Sequence, residues 1–218
     1  MKFIGHLDIM RFFQKVMRRA DIPIAFTGGF SPHMIMSFAN PLGVGVTSDG
    51  EYFDIELAEE IDMDEAVKRM NEVTVEGIEI VNMVSISDDK KQTGMAIVAA
   101  ADYLSGIKKG EFPLGWKEKV HDFMNQSEIC IVKKTKKSEK EVDIKPMIYK
   151  LDVVEDSVYM QVATGSVENL KPELVMQALC RFLGIDSDKV TFSHHRLEVY
   201  ANVGTETDKK FVSLDQVS

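Results

Sequence analysis

Only two cysteines, Cys130 and Cys180, occur in the 218 residues, far apart in the chain. That excludes a disulfide-stapled scaffold and a cysteine-ligated cluster built within one copy, and leaves two thiols in a reducing compartment. No apolar run approaches the ~18 residues that a bilayer-spanning helix needs. The opening stretch, Met1 to Arg19, intersperses charges with apolar groups and so lacks the continuous apolar centre of a signal peptide. The expectation is a soluble, cytoplasmic protein without a membrane partner. A nucleophile elbow, a P-loop and a dinucleotide fingerprint are also missing. Gly28-Gly29 and Gly43-Val44-Gly45 are not followed by helices, which argues against a phosphate cradle at a helix N-terminus. No His, Cys and carboxylate group has the spacing of a metal site, so neither a metal nor a cofactor is expected.

An overall excess of positive charge is absent too: 26 Lys and Arg stand against 35 Asp and Glu, a net charge of −9. The distribution is uneven, and distribution matters more than the sum for a polyanion partner. Residues 1–20 carry Lys2, Arg11, Lys15, Arg18 and Arg19 against Asp8 alone. Residues 133–150 hold seven lysines against three acids, and residues 49–72 hold ten acids against Lys68 and Arg69. The basic islands read either as a polyanion footprint or as solvated faces of ordinary elements.

Apolar periodicity predicts a first helix over Leu7 to Ala20, with Met10, Phe13, Met17 and Ala20 on its inner face and Ile9 and Val16 at the edge. Arg11, Lys15 and Arg18 recur on another face, and Ile22-Pro23 ends the helix. Strands are predicted over Met34–Ala39, Glu51–Leu57 and Ile78–Ile86, with a helix from the N-cap Asp62 to about Glu72. A polar stretch at Asp88 to Thr93 separates the halves. Beyond it the pattern predicts a strand over Ala96–Leu104, although its alanines allow a helix. A helix follows over Leu114–Asn125, then a strand over Glu128–Thr135 and a charged loop over Lys136–Glu141. A hairpin of Tyr149–Glu155 with Val158–Thr164 comes next, then a helix over Pro172–Leu183 stopped by Gly184, and a last strand over Val190–Tyr200. The element order predicts an α+β protein of two tandem ferredoxin-like (βαββαβ) domains, 1–90 and 94–200. The first would have a short or truncated first strand at Met1–Ile4, and 201–218 would be a polar, frayed tail.

The run Phe3-Ile4-Gly5-His6-Leu7-Asp8-Ile9-Met10-Arg11 is distinctive, and it continues through Arg18-Arg19-Ala20-Asp21-Ile22-Pro23 and Gly29-Phe30-Ser31-Pro32-His33. Ser37-Phe38-Ala39, Pro41-Leu42-Gly43-Val44-Gly45, Gly50-Glu51-Tyr52-Phe53-Asp54, Asn169-Leu170-Lys171-Pro172-Glu173 and Arg196-Leu197-Glu198 extend the pattern. Together these resemble the radical-SAM-linked protein family, whose members stand alone or are fused behind a radical SAM domain. The resemblance implies a radical SAM protein as partner and an accessory role, and carries no settled activity. Members usually have a strand and a basic turn before the His-Leu-Asp motif, and this chain starts almost at that motif.

His6 and Asp8 could act as base and orienter, with His33 at the end of the glycine-proline loop as a second base; equally, His6 and Asp8 could cap the helix. His121, His194 and His195 carry no comparable context. Arg11, Lys15, Arg18, Arg19, Lys134, Lys136, Lys171 and Arg196 are the candidate contacts to a nucleic-acid backbone, and Phe30 could stack on a base. The function expected is an accessory module, non-catalytic or weakly catalytic, that binds RNA, a tRNA or rRNA, and presents it to a radical SAM enzyme. The alternatives are a metal-independent RNA endonuclease using His6 or His33, and an interaction domain whose acidic 49–72 surface docks the enzyme.

Overall fold

The computed structural model describes residues 3–87, 89–134 and 139–217. The first helix, α1 (His6–Arg19), begins without a side-chain cap, but Asp8 in its first turn and Arg18 and Arg19 in its last complement the helix dipole. Its inner face is Phe13, Val16, Met17 and Ala20. Asp21 then takes a left-handed conformation (φ 51°), which a short polar side chain tolerates, and the chain turns out of the helix. The strands β1 (Met36–Phe38) and β3 (Phe53–Ile55) pair antiparallel, and the bridges Ile24↔Leu57 and Phe26↔Met34 extend this small sheet. Helix α2 (Met63–Val73), capped by the Asp62 carboxylate on the Glu65 N–H, packs with α1. The core between them holds Phe13, Val16, Met17, Met36, Phe38, Ala66 and Met70. Phe13, Phe38 and Phe53 pack ring on ring there, with centroids 4.7–5.8 Å apart.

The second half starts with a short helix, α3 (Gly94–Ile97), which runs into the long strand β4 (Val98–Lys109). Helix α4 (Trp116–Met124), the hairpin β5 (Cys130–Lys134) and β6 (Glu139–Asp143), the hairpin β7 (Ile148–Val154) and β8 (Ser157–Ala163), helix α5 (Pro172–Phe182) and strand β9 (Thr191–Asn202) follow. The sheet order is β10-β9-β4-β8-β7, antiparallel throughout, where β10 is Phe211–Ser213. The two-residue strand β2 (Thr47–Ser48) leaves the first half to pair parallel with β9. One face of this sheet is covered by α4 and α5. Ala101, Met160, Val162 and Val199 meet Val120, Phe123, Val175, Met176 and Leu179 in the second core. Burying such side chains stabilises by roughly 1.5–3 kcal/mol each, which is why these helices need no strong caps.

The chain is therefore α+β with several sheets, but the first half does not repeat the second. Residues 78–86 form no strand: the Asn71 side chain takes both the N–H and the C=O of Ile80, each at 2.8 Å, in place of a neighbouring strand. Phe3 and Ile4 belong to no strand either. The expected frayed tail instead folds back. Tyr149 and Tyr200 provide aromatic surface for Phe211, and Leu214 is buried in the second core. The charged loop expected at Lys136–Glu141 in part pairs, since Glu139–Asp143 returns along Cys130–Lys134. No helix of the described residues is long and apolar enough to cross a membrane.

Candidate functional site

The face of the large sheet opposite α4 and α5 follows from strand alternation. Asp102 on β4 stands beside Gln161 on β8 and Glu198 on β9. Two residues along, the same face adds Tyr159 and Tyr200. Lys150 on β7 is in register with Gln161, and Ser213 on β10 with Tyr200. This polar face forms the floor of an open cleft of about 510 Å³, lined by Asp102, Tyr149, Lys150, Gln161, Tyr200, Lys209 and Phe211.

Asp102 is the centre of the floor and only 7% exposed. Its Oδ1 accepts from Gln161 Nε2 at 2.9 Å. Its Oδ2 accepts from the Tyr159 hydroxyl at 2.7 Å and the Tyr200 hydroxyl at 2.9 Å. A buried carboxylate is costly unless donors surround it, and here three do. Burial, and next the bond to Asp102, pushes both tyrosine hydroxyls far above their ordinary value, so they remain donors. At the rim, Lys209 Nζ lies 4.5 Å from the Tyr149 ring centroid and donates to its hydroxyl at 2.9 Å. The Tyr149 and Phe211 rings are tilted on each other at 5.0 Å. Towards the first half, the Tyr52 hydroxyl donates to Asp215 at 3.4 Å, and burial raises the Glu198 carboxyl above its ordinary value. The arrangement offers aromatic surface, two rim cations and an acidic, hydrogen-bonded floor. That suits a flat ligand carrying both an anionic and a hydrogen-bond-donating group.

Arg11, Lys15, Arg18 and Arg19 all lie on the exposed face of α1. Arg11 pairs with Asp8 at 3.3 Å, an exposed pair worth roughly 0–1 kcal/mol. The His6 ring meets Phe38 edge-on at 5.4 Å. Phe30 is fully exposed at the tip of a turn closed by Thr27 and His33, whose ring Nδ1 and backbone N–H both engage the Thr27 hydroxyl at 3.1 Å. Among the described residues no hydrogen bond joins His6, Asp8 and His33 to one another. Lys171 is exposed just before α5. Lys136 lies outside the described residues, as does the side chain of Lys134 on β5.

Arg196 requires a correction: at 2% exposure it presents no cation to a ligand. Its guanidinium forks onto Glu51 at 2.7 and 2.6 Å and donates to the Asn40 carbonyl at 2.7 Å, tying the two halves together. The acid expected beside it, Glu198, two residues along β9, is not its partner: an irregularity in the β4–β9 register falls between Arg196 and Glu198, so strict alternation does not hold across them, and Glu51 arrives from the other half to take the guanidinium. His194 links Ser105 (2.8 Å) and Glu173 (2.8 Å), the atoms of a nucleophilic triad. Ser105, however, is 1% exposed, sealed within the sheet away from any substrate.

None of the cleft residues was singled out from the sequence. The available signal was Asp102, a lone acid inside the apolar run Ala96 to Leu104, together with aromatic and polar residues alternating at Tyr159, Gln161, Glu198 and Tyr200.

The chain belongs to a family described as an uncharacterized protein conserved in bacteria (DUF2344), whose model matches residues 1–172. No curated protein matches it. Among solved structures, a chain of the "Crystal Structure of a Cbf5-Nop10-Gar1 Complex" is similar over 91% of this chain, with a TM-score of 0.50 and 12% identity. The match takes in 46% of that chain, so this chain spans less than half of its length. At that identity the likeness concerns the α+β fold alone.

Proposed function

We propose that this member of the bacterial family is an RNA-binding protein that takes a single-stranded segment in the cleft above Asp102. The observation that carries the reading is the pairing of aromatic and cationic groups at one rim: the Tyr149 and Phe211 rings, 5.0 Å apart, beside Lys209 and Lys150. Bases stack on such rings regardless of sequence, while lysines hold the phosphates between them. The strands β9-β4-β8-β7 are in the order of a ferredoxin-like unit, the architecture on which a common class of RNA-binding sheets displays its stacking aromatics. That last argument is fold-level analogy. The exposed stripe Arg11, Lys15, Arg18 and Arg19 supplies a second set of phosphate contacts in an otherwise acidic chain. Presentation of the bound RNA to a radical SAM enzyme is the role that the sequence resemblance adds.

The test is titration of a labelled single-stranded RNA by fluorescence anisotropy at several salt concentrations. Tyr149→Ala should lose roughly 1–3 kcal/mol of affinity. Lys150→Ala and Lys209→Ala should each flatten the dependence of log K on log salt by ~0.7. Affinity that is absent, insensitive to salt, or unchanged in Tyr149→Ala refutes the proposal.

A further inference from the structure

The floor of the cleft has a hydrogen-bonding polarity of its own. Asp102, when ionised, only accepts, so the amide of Gln161 must turn its Nε2 towards it; this fixes where the amide oxygen lies. Gln161 is 5% exposed, yet its Oε1 takes no hydrogen bond from any described residue. It is also not among the sealed polar atoms without a partner, of which Thr164 Oγ1 is the example, so the cleft is where it meets solvent. The hydroxyl hydrogens of Tyr159 and Tyr200 are both spent on Asp102, which leaves their oxygens as acceptors. One hydrogen of the Gln161 amide is the remaining donor of this group. A buried polar floor left unpaired is costly, so a ligand must answer it with donors.

We infer that the floor formed by Gln161, Asp102 and Tyr200 selects a nucleobase bearing an exocyclic amino group, adenine, cytosine or guanine, over uracil. The inference rests on the RNA-binding reading of the same cleft. Lys150 and Lys209 at the rim take the phosphate, and the amino group reaches Gln161 Oε1 and the carboxylate beneath it. Uracil turns carbonyl oxygens towards the same acceptors on both sides of its single N–H.

Cytosine and uracil share ring size and differ at this group, so oligo(C) and oligo(U) of equal length provide the comparison, at neutral pH and fixed salt. The native chain should hold oligo(C) about tenfold more tightly. Gln161→Met keeps the volume and removes the amide; it should bring the two within about twofold while the salt dependence persists. Where Gln161→Met fails to fold by circular dichroism, Tyr200→Phe, which deletes one hydroxyl of the floor, takes its place and should narrow the advantage. Equal affinities in the native chain, or tighter oligo(U), overturn the base selection and leave RNA binding standing. Binding of neither polymer removes both readings. An advantage for oligo(C) that survives unchanged in a folded variant overturns the assignment to this floor.

Discussion

Arg196 gives the sharpest test of how the halves are joined. Its guanidinium makes three short bonds, two to the Glu51 carboxylate and one to the Asn40 carbonyl, and a longer one of 3.4 Å to the Tyr103 hydroxyl. Charge-assisted bonds of this kind are worth roughly 1.5–3 kcal/mol each, but burying the guanidinium costs several kcal/mol in return. Removing one partner of a buried pair therefore costs ~3–5 kcal/mol, and the two ends are unequal. Arg196→Met leaves Glu51, whose side chain is 30% exposed and can rehydrate, so its cost should lie near the lower figure. Glu51→Gln leaves the guanidinium at 2% exposure facing an amide that repeats its donors, and should cost more. At roughly 2–4 °C per kcal/mol for a chain of this length, the melting temperature should fall by ~6–12 °C in the first variant and further in the second. Urea titration of both single variants and the double variant reads the coupling. Glu51→Gln should add less than about 1 kcal/mol once Arg196 is Met. Strict additivity, a reversed order, or a loss under about 1 kcal/mol in Arg196→Met would refute the reasoning.

Gly50 packs against β9 so closely that a Cβ would stand 2.8 Å from the Leu197 carbonyl oxygen and 2.9 Å from the Glu198 Cα. Gly50→Ala should therefore cost ~1–3 kcal/mol in denaturant titration, and a neutral variant would mean the segment can move aside. Burial raises the Glu198 carboxyl, so the fold favours its protonated form: that stabilisation is complete in acid, below the ordinary carboxylate range, and is lost as pH rises through the folded value. Glu198→Gln should accordingly be more stable than the native chain at neutral pH, with the gain vanishing in acid; thermal melts that show a pH-independent difference contradict this. Burial pushes the Cys180 thiol up to about 11, whereas Cys130 is only partly covered. Iodoacetamide at neutral pH, followed by mass spectrometry, should label Cys130 first and Cys180 only on unfolding; equal labelling of the native chain would contradict the burial.

Helices were the legible part of the fold. The spacing of Phe13, Met17 and Ala20 marked the buried face of α1, and Pro172 with Gly184 bracketed α5, because both signals are local. Val16, placed at the edge of the face, is 1% exposed, within the core that α1 shares with the small sheet and α2, and nothing in α1 itself announces those partners. The alternation of residues 78–86 mimicked a strand, but Val81, Val84 and Ile86 are exposed and no neighbour pairs with them. A strand requires a partner as well as a pattern, and only the fold supplies one.

Composition and local periodicity sufficed for an α+β chain, the places of its long helices, the hairpin of β7 and β8, and the cationic face of α1. These depend on residues within a few positions of each other. The pairing of β2 with β9, the burial of Arg196 on Glu51 and the meeting of Asp102 with Tyr159, Gln161 and Tyr200 were decided by the tertiary structure. Each joins residues from 57 to 148 positions apart, through hydrogen bonds whose partners are set by sheet order and register. Local pattern carries no record of either.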